Sequence, residues 1–229
     1  MRLKTLDGIE LEGKVVFLRC DLNVPFDNEG KVIDKTKIKR HKITINELIQ
    51  KKSKIIILSH LGRPKGKIIK DLSMNMILRS FVEELKIPEV TVLPFCGPDI
   101  IKKVVNNMEN GKVAFMENIR FYPEEEENNT MFAKKLAKVA DIYINDAFSV
   151  SHRKHISTYE LSKFLPSYAG RSLQLEIDML EKINNNINKP VMALIGGSKI
   201  STKIGLLENL IKKVDFLVIG GAMANTFLL

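Results

Sequence analysis

Arginine and histidine residues recur where apolar, strand-like runs give way to polar loops. The runs cover residues 15–18, 55–58, 113–116 and 142–144. The segments that follow them carry Arg19, His60, Arg63, Arg120, His152 and Arg153. The planar guanidinium group of arginine matches the oxygens of a phosphate or a carboxylate through parallel hydrogen bonds. The pattern therefore indicates that the loops bind a small anion.

These basic groups can meet only if the preceding strands lie side by side. Helical patterns separate the four runs, so the strands are predicted to be parallel. Parallel strands end at one edge of their sheet, and open α/β sheets bind their ligands at that edge. The predicted fold is therefore α/β, with a Rossmann-like parallel sheet in the N-terminal domain.

The periodicity of apolar residues locates the other elements and the domain boundaries. It predicts helices over 35–52, 73–85, 98–108, 130–139 and 171–187, and a strand over 90–93. A new βαβ unit is predicted from a strand at 191–195, a helix at 201–213 and a strand at 216–219. The domains expected are residues 1–170, a bridging helix and linker at 171–189, and an incomplete second α/β domain at 190–229.

Composition limits the class of protein. The net charge of +9 suggests an anionic partner, but only eight of the 36 basic residues are arginine, which favours a diffuse lysine surface. RNA binding is disfavoured because no aromatic-rich recognition motif is present, so no nucleic-acid partner is expected. No apolar run reaches the roughly 20 residues of a membrane helix. Cys20 and Cys96 form no disulfide framework, so a cytoplasmic location is expected.

Several of these side chains have a second interpretation. Asp21 and Asn23 can hydrogen-bond the hydroxyl group of a small substrate, or they can simply organise a turn. For Arg19, which belongs to the strand end and not to the loop, the favoured interpretation is an ion pair with a neighbouring acid and not anion binding. The run from Glu124 to Glu127 is interpreted as a solvated helix start, and no metal site is predicted there or at the histidines that flank Arg153.

A glycine turn follows the strand predicted at 191–195. Gly196 and Gly197 precede Lys199 and Lys203, which lie four residues apart and are predicted to share one face of a helix. Backbone N–H groups at such a turn favour a phosphate, although glycines at this position often serve only tight packing. The second glycine pair, at residues 220–221, has the same two interpretations.

The motifs resemble, in order, those of the phosphoglycerate kinase family. Residues 19–25 resemble R-x-D-x-N-V-P, residues 59–64 match S-H-L-G-R-P, and residues 117–121 resemble E-N-x-R-F. Residues 145–155 resemble N-D-A-F-x-x-x-H-R-x-H. Residues 196–203 and 220–228 resemble G-G-x-K-x-x-x-K and G-G-x-M-A-N-T-F-L. The resemblance runs from one end of the chain to the other.

The resemblance implies a glycolytic transferase that moves a phosphoryl group reversibly between ATP and the carboxylate of 3-phosphoglycerate, with 1,3-bisphosphoglycerate as the phosphorylated form. Its substrate-binding positions correspond to Asp21, Leu22, Asn23, Lys37, His60, Leu61, Gly62, Arg63, Arg120 and Arg153. Its catalytic positions correspond to Lys37, Lys199 and Lys203. ATP or ADP with Mg²⁺ is implied at Gly196, Gly197, Lys199 and Lys203.

Two departures from the family pattern change the expectation. Lys37 stands where the family has an arginine, and Arg40 lies on a different helix face. The family chain is nearly twice as long and is expected to be a monomer, and its later glycine-rich segments hold the adenosine. This chain is therefore expected to be an inactive fragment of such an enzyme. The alternative is a non-catalytic remnant that binds 3-phosphoglycerate.

Overall fold

The computed structural model describes residues 3–185, 189–197, 201 and 203–228. The chain divides into two compact units, Met1–Glu176 and Ile177–Leu229. The division falls inside a helix, Arg171–Asn185, that the sequence pattern predicts as a bridge.

The first unit contains a six-stranded sheet. Its strands are β1 Val15–Arg19, β2 Lys54–Leu58, β3 Val90–Val92, β4 Val113–Phe115, β5 Ile142–Asn145 and β6 Ser167–Ala169. They lie in the order β3-β4-β2-β1-β5-β6, and every neighbouring pair is parallel. This arrangement confirms the predicted α/β fold with a parallel sheet.

Helices cover both faces of the sheet. The helices of the first unit are α1 Thr36–Arg40, α2 Lys42–Gln50, α3 Asn75–Leu85, α4 Pro98–Asn106, α5 Pro123–Glu127 and α6 Thr130–Ala137, and α7 Arg171–Asn185 begins in this unit. Helices α1, α2 and α3 contribute to the core on one face, and α4 and α6 to the core on the other. Within β1, Leu18 belongs to the first core and Phe17 to the second. Burial on both faces explains why the strands are continuous apolar runs.

The strand order creates the edge that the loops share. From β1 the sheet extends to β2 on one side and to β5 on the other. In such sheets the loops after the strands diverge at the point where the order reverses, which leaves a crevice for a ligand. The loops after β1, β2, β4 and β5 all leave from this edge.

The structure differs from the sequence predictions at several element ends. The helix predicted over 35–52 is divided at His41, whose backbone N–H donates to the carbonyl of Ile38 and whose ring contacts Asp146. Ser73 lies two residues before the start of α3, and its hydroxyl group accepts from the backbone N–H of Asn75, the first residue of the helix, at 3.2 Å, in agreement with the predicted capping role. Strand β6 was not predicted, because it has only three residues and pairs with β5 alone.

The second unit contains a parallel pair of strands, β7 Met192–Gly196 and β8 Phe216–Gly220. They are followed by α8 Ile204–Leu210 and α9 Ala222–Leu228, respectively. The βαβ prediction is confirmed, but α8 begins three residues later than expected. Met192, Leu194, Phe216 and Val218 alternate along the two strands and remain exposed on one face of the pair. Among the described residues, no helix is both long and apolar enough to cross a membrane.

Candidate functional site

Arg19 lies at the end of β1 and is almost completely buried, with 2% of its surface exposed. Its Nη1 donates to the backbone carbonyls of Cys20 and Leu58, and its Nη2 lies 3.1 Å from Nδ1 of His60. No carboxylate of the described residues forms an ion pair with it, so the predicted pairing with a neighbouring acid is wrong. Arg19 instead joins the ends of β1 and β2 and brings its charge against His60.

His60 accepts this contact as a neutral ring. A guanidinium group can only donate, so Nδ1 of His60 must be the acceptor. Burial lowers the pKa of His60, and the positive charges of Arg19 and Arg120 lower it further. The remaining ring nitrogen, Nε2, therefore carries a proton and can donate to an anion.

Arg120 follows β4 and is 4% exposed. Its Nη1 donates to the carbonyl of Gly62 at 2.9 Å, and its Nε lies 3.3 Å from a carboxylate oxygen of Glu126. Burial lowers the pKa of Arg120, Glu126 raises it, and the charges of Arg153 and Arg19 lower it again. Three cations from three strand ends therefore share one electrostatic environment.

Two members of the predicted anion set are less constrained. Arg63 is exposed and has no hydrogen-bond or ion-pair partner among the described residues. Arg153 is half-buried. Only three buried side-chain nitrogen or oxygen atoms of the described chain lack a hydrogen-bond partner, and two are the Nε atoms of Arg19 and Arg153. Buried donors without acceptors are unusual, and an anion would satisfy them.

The loop that contains Leu61 and Gly62 is fixed by hydrogen bonds from both sides. Asn23 Oδ1 accepts from the backbone N–H of Gly62 at 2.9 Å, so the first loop supports the second. Gly62 adopts φ +60°, and a Cβ there would lie 2.7 Å from the side chain of Leu72. Leu61 packs into the core, as does Leu22 of the first loop. Both leucines therefore contribute to the site through their backbone and their packing.

Asn118 and Glu117, which the sequence analysis assigned no role, hold the loops after β2 and β4 together. Asn118 is unexposed, and its Nδ2 donates to the carbonyls of Leu61 and Leu72 at 2.8 Å. Its Oδ1 accepts from the N–H groups of Leu61 and Arg120. Glu117 accepts from the backbone N–H of Met74 at 2.7 Å. The only sequence signal for these roles is their place in the motif that contains Arg120.

The acidic run lies in α5 and is only in part the solvated helix start that the sequence suggested. Glu125 is 1% exposed and accepts hydrogen bonds from the backbone N–H and the hydroxyl group of Ser157. Burial raises the pKa of Glu125, and the charge of Arg19 opposes that rise. Glu126 contacts Arg120. The prediction is therefore wrong for Glu125, whereas Glu126 remains exposed to solvent although it makes this contact.

Asp21 and Lys37 meet at the other part of the edge. Lys37 Nζ donates to Oδ2 of Asp21 at 2.9 Å, and the hydroxyl group of Ser149 donates to the same oxygen at 2.6 Å. Burial raises the pKa of Asp21, but the bonds from Ser149 and Lys37 outweigh it and lower the pKa to about 2. Asp21 is therefore an ionised acceptor. These three residues line a cavity of about 260 Å³ together with Arg40, which pairs with Glu176 at 3.0 Å.

His41 and Asp146 tie this cavity to α7. Nδ1 of His41 lies 2.7 Å from Asp146 Oδ2, and Nε2 accepts the backbone N–H of Asp21 at 3.0 Å. Asp146 Oδ1 accepts from the hydroxyl group of Thr44 and from the N–H of Ser172 in the first turn of α7. The loops after β1 and β5 are thus connected to the helix that begins at Arg171.

The glycine turn of the second unit is a separate candidate site. Lys203 Nζ donates to the carbonyl of Gly196 at 2.6 Å, and a Cβ on Gly197 would lie 2.7 Å from that nitrogen. Gly197 has φ +150°, which favours glycine. Lys203 precedes α8, so it does not lie within a helix as predicted, and Lys199 lies outside the described residues.

The part of the chain that the structure describes contains no group of three or more histidine, cysteine or acidic side chains placed to hold a metal ion. His155 Nδ1 lies 3.9 Å from Glu125, with no further ligand beside that pair. The geometry thus presents arginine, lysine and neutral histidine donors on one sheet edge, and a glycine turn with a lysine in the other unit.

The fold and the site define a doubly wound α/β protein with a group of cationic side chains at the carboxyl edge of its sheet. The family model for phosphoglycerate kinase matches residues 6–229. The chain belongs to the phosphoglycerate kinase family.

Individual relatives agree with this assignment. The chain is 46% identical over 228 residues to a phosphoglycerate kinase of Bartonella quintana and 48% identical over 229 residues to one of Sinorhizobium medicae. Each match covers 100% of this chain and 57% of the relative. The solved structure of phosphoglycerate kinase from Coxiella burnetii superimposes with a TM-score of 0.87 at 39% identity, covering 99% of this chain and 57% of that one. The chain therefore spans little more than half the length of the relatives it matches.

Proposed function

We propose that this chain forms the substrate-binding part of a phosphoglycerate kinase, which transfers a phosphoryl group reversibly between ATP and the carboxylate of 3-phosphoglycerate in glycolysis. The observation that carries the proposal is the convergence of Arg19, His60 and Arg120 from three strand ends, together with the Nε atoms of Arg19 and Arg153, which are buried and lack a protein partner. A ligand with both a phosphate and a carboxylate fits such a set. The family match does not favour the alternative of a non-catalytic binding protein.

The proposed binding roles follow from the chemistry of each group. Arg63, Arg120 and Arg153 bind the phosphate and carboxylate oxygens, and His60 donates from its protonated nitrogen. Asp21, which is ionised, accepts from the substrate hydroxyl group, and Asn23 fixes the neighbouring loop. Arg19 orients His60 through its Nη2, and its unpartnered Nε adds a donor for the anion.

The reaction requires no general base. The acceptor is a carboxylate that is already ionised at neutral pH, so the protein must align two anions and neutralise the charge on the moving phosphoryl group. Lys37 is the proposed catalytic cation of the first unit. It occupies the family's arginine position and is held by Asp21 at 2.9 Å. Water exclusion would strengthen these interactions.

ATP or ADP is proposed to bind the second unit. The Lys203 ammonium group lies against the turn at Gly196 and Gly197 and donates to the carbonyl of Gly196, which supports a phosphate site there. Lys203 and Lys199 are the proposed phosphate contacts. Mg²⁺, bound together with the nucleotide, would supply positive charge that neutralises the phosphate groups. The proposal assigns residues 1–170 to the substrate, 171–189 to the bridge and 190–229 to the start of the nucleotide domain, in a cytoplasmic enzyme that is a monomer when full length.

Substrate binding can be tested with Arg63→Ala. Arg63 is exposed and has no partner among the described residues, so its removal should leave the fold intact. Titration calorimetry with 3-phosphoglycerate should show a loss of roughly 1.5–3 kcal/mol of binding free energy, the range for hydrogen bonds to charged groups.

The matched control is Arg79→Ala, which removes an exposed arginine on α3 that pairs with Glu83. That variant should bind 3-phosphoglycerate as the unmodified chain does. Equal affinities for the two variants would contradict the proposed anion site.

A further inference from the structure

A single carboxylate contacts the arginines that the proposed function assigns to the substrate. Glu126 Oε1 lies 3.3 Å from Nε of Arg120. Among the described residues, no other acid forms an ion pair with Arg19, Arg63, Arg120 or Arg153. A negative charge inside a set of cations that should bind an anion is unexpected, and it points to a role for Glu126.

The two partners differ in their exposure to solvent. The side chain of Arg120 is 4% exposed and that of Glu126 is 39% exposed. Arg120 also donates to the carbonyl of Gly62, so its orientation does not depend on Glu126 alone. Burial lowers the pKa of Arg120 and Glu126 raises it, so the carboxylate offsets part of the penalty of burying that cation.

We propose that Glu126 sets the anion affinity of the site: its carboxylate compensates the charge of Arg120 in the empty site and opposes the binding of a multiply charged ligand. This inference rests on the proposed function. A bound substrate anion and the Glu126 carboxylate compete for the same guanidinium charge. The repulsion between them limits affinity and speeds the release of the ligand.

The expected effect is moderate because Glu126 is partly exposed. Water screens a charge at this depth, so the repulsion is far smaller than it would be in a dry interior. It should grow with the charge of the ligand and decline as salt is added. These two dependences distinguish repulsion from a purely orienting role for Glu126.

The chain offers matched variants. Glu126→Gln removes the charge but keeps an oxygen that can accept from Nε of Arg120. Glu126→Ala removes both the charge and the acceptor. Glu127→Gln, one residue further on the same helix, removes an exposed charge with no ion-pair partner among the described residues. All three variants can be purified as the 229-residue chain and compared by circular dichroism before titration.

The experiment is titration calorimetry with 3-phosphoglycerate, inorganic phosphate and glycerate at low and high salt. Glu126→Gln should bind 3-phosphoglycerate roughly 3- to 10-fold more tightly than the unmodified chain at low salt. The gain should be smaller for phosphate, smallest for singly charged glycerate, and reduced at high salt. Glu126→Ala should gain less than Glu126→Gln, and Glu127→Gln should behave as the unmodified chain.

Unchanged or weaker binding by Glu126→Gln would overturn the inference, as would an equal gain in Glu127→Gln. A change of the same size for all three ligands would assign Glu126 an orienting role and also overturn it. If the unmodified chain binds phosphate but not 3-phosphoglycerate, the proposed function fails while the phosphate titrations still test the inference. If it binds neither, both fail.

Discussion

At the scale of single residues, the site depends on how charges are paired. Lys37 shares one oxygen of Asp21 with the hydroxyl group of Ser149, which keeps the carboxylate ionised and the ammonium group in the cavity. An ammonium group acts as a point charge, whereas a guanidinium group offers two parallel donors. The Lys37 position is therefore where this chain departs most from the chemistry that its family resemblance implies.

Replacing Lys37 with arginine should improve phosphoryl transfer. The enzyme for this test joins the present chain to the C-terminal part of the Sinorhizobium medicae relative, because this chain spans 57% of that protein. We expect Lys37→Arg to raise kcat with little change in KM, since paired donors bind the moving phosphoryl group best in the transition state. Steady-state kinetics measure both constants.

Lys39→Arg is the control, because Lys39 lies on the same helix and is mostly exposed. It should leave both constants unchanged. If kcat of Lys37→Arg equals or falls below that of the unmodified enzyme, the expectation is wrong. Lysine then stabilises the moving phosphoryl group as well as arginine does.

At the scale of elements, Asp146 connects three segments that are far apart in the chain. It follows β5 and contacts the His41 junction between α1 and α2, Thr44 of α2 and the first turn of α7. Its side chain is unexposed, so each donor depends on it for a partner. This network explains why the helix predicted over 35–52 is divided at His41.

Asp146→Asn should lower the free energy of unfolding by about 2–4 kcal/mol, the range for disrupting a buried charged network. The new amide NH₂ must face at least one existing donor, His41 Nδ1 on one side or the Thr44 hydroxyl group and the Ser172 N–H on the other. Urea unfolding followed by circular dichroism measures the loss.

Asp141→Asn serves as the comparison. Asp141 is exposed just before β5 and accepts only the backbone N–H of Val15, at 2.8 Å, among its described contacts. Its loss should be well below that of Asp146→Asn. Similar losses for the two variants would contradict the central role of Asp146.

At the scale of the whole molecule, the two units carry different parts of the proposed reaction. The first unit has a hydrophobic core on each face of its sheet, and hydrogen bonds join the loops at the edge of that sheet. The second has a glycine turn and an exposed apolar face on its strand pair. The chain matches 57% of the length of its relatives. We therefore expect the rest of the proposed nucleotide site in the part of those relatives that this chain does not match.

The 229-residue chain should therefore bind 3-phosphoglycerate without turning over ATP. Alignment of two substrates and exclusion of water contribute many powers of ten in rate, and one glycine turn cannot supply them. A coupled assay with ATP, Mg²⁺ and 3-phosphoglycerate measures turnover. Rates near the roughly 1–100 s⁻¹ of kinases, persisting after removal of contaminating kinase, would contradict this expectation.

The amino-acid sequence by itself determined the class of fold and the sheet edge at which the basic side chains lie. Apolar runs separated by helical periodicity imply parallel strands, and parallel strands place Arg19, His60 and Arg120 at one edge whatever the details of packing. Local patterns suffice here because strand direction and burial depend on residues that are close in the chain.

Only the tertiary structure decided which charges meet. Nothing local shows that Arg19 would contact His60 instead of an acid, that Ser149 would bond Asp21, or that Glu125 would be buried while Glu126 faces Arg120. Hydrogen bonds and ion pairs require approach within a few ångströms, and for residues far apart in the chain the packed sheet sets those distances. The edge that carries the proposed site could therefore be predicted from the sequence, but the pairings of its side chains could not.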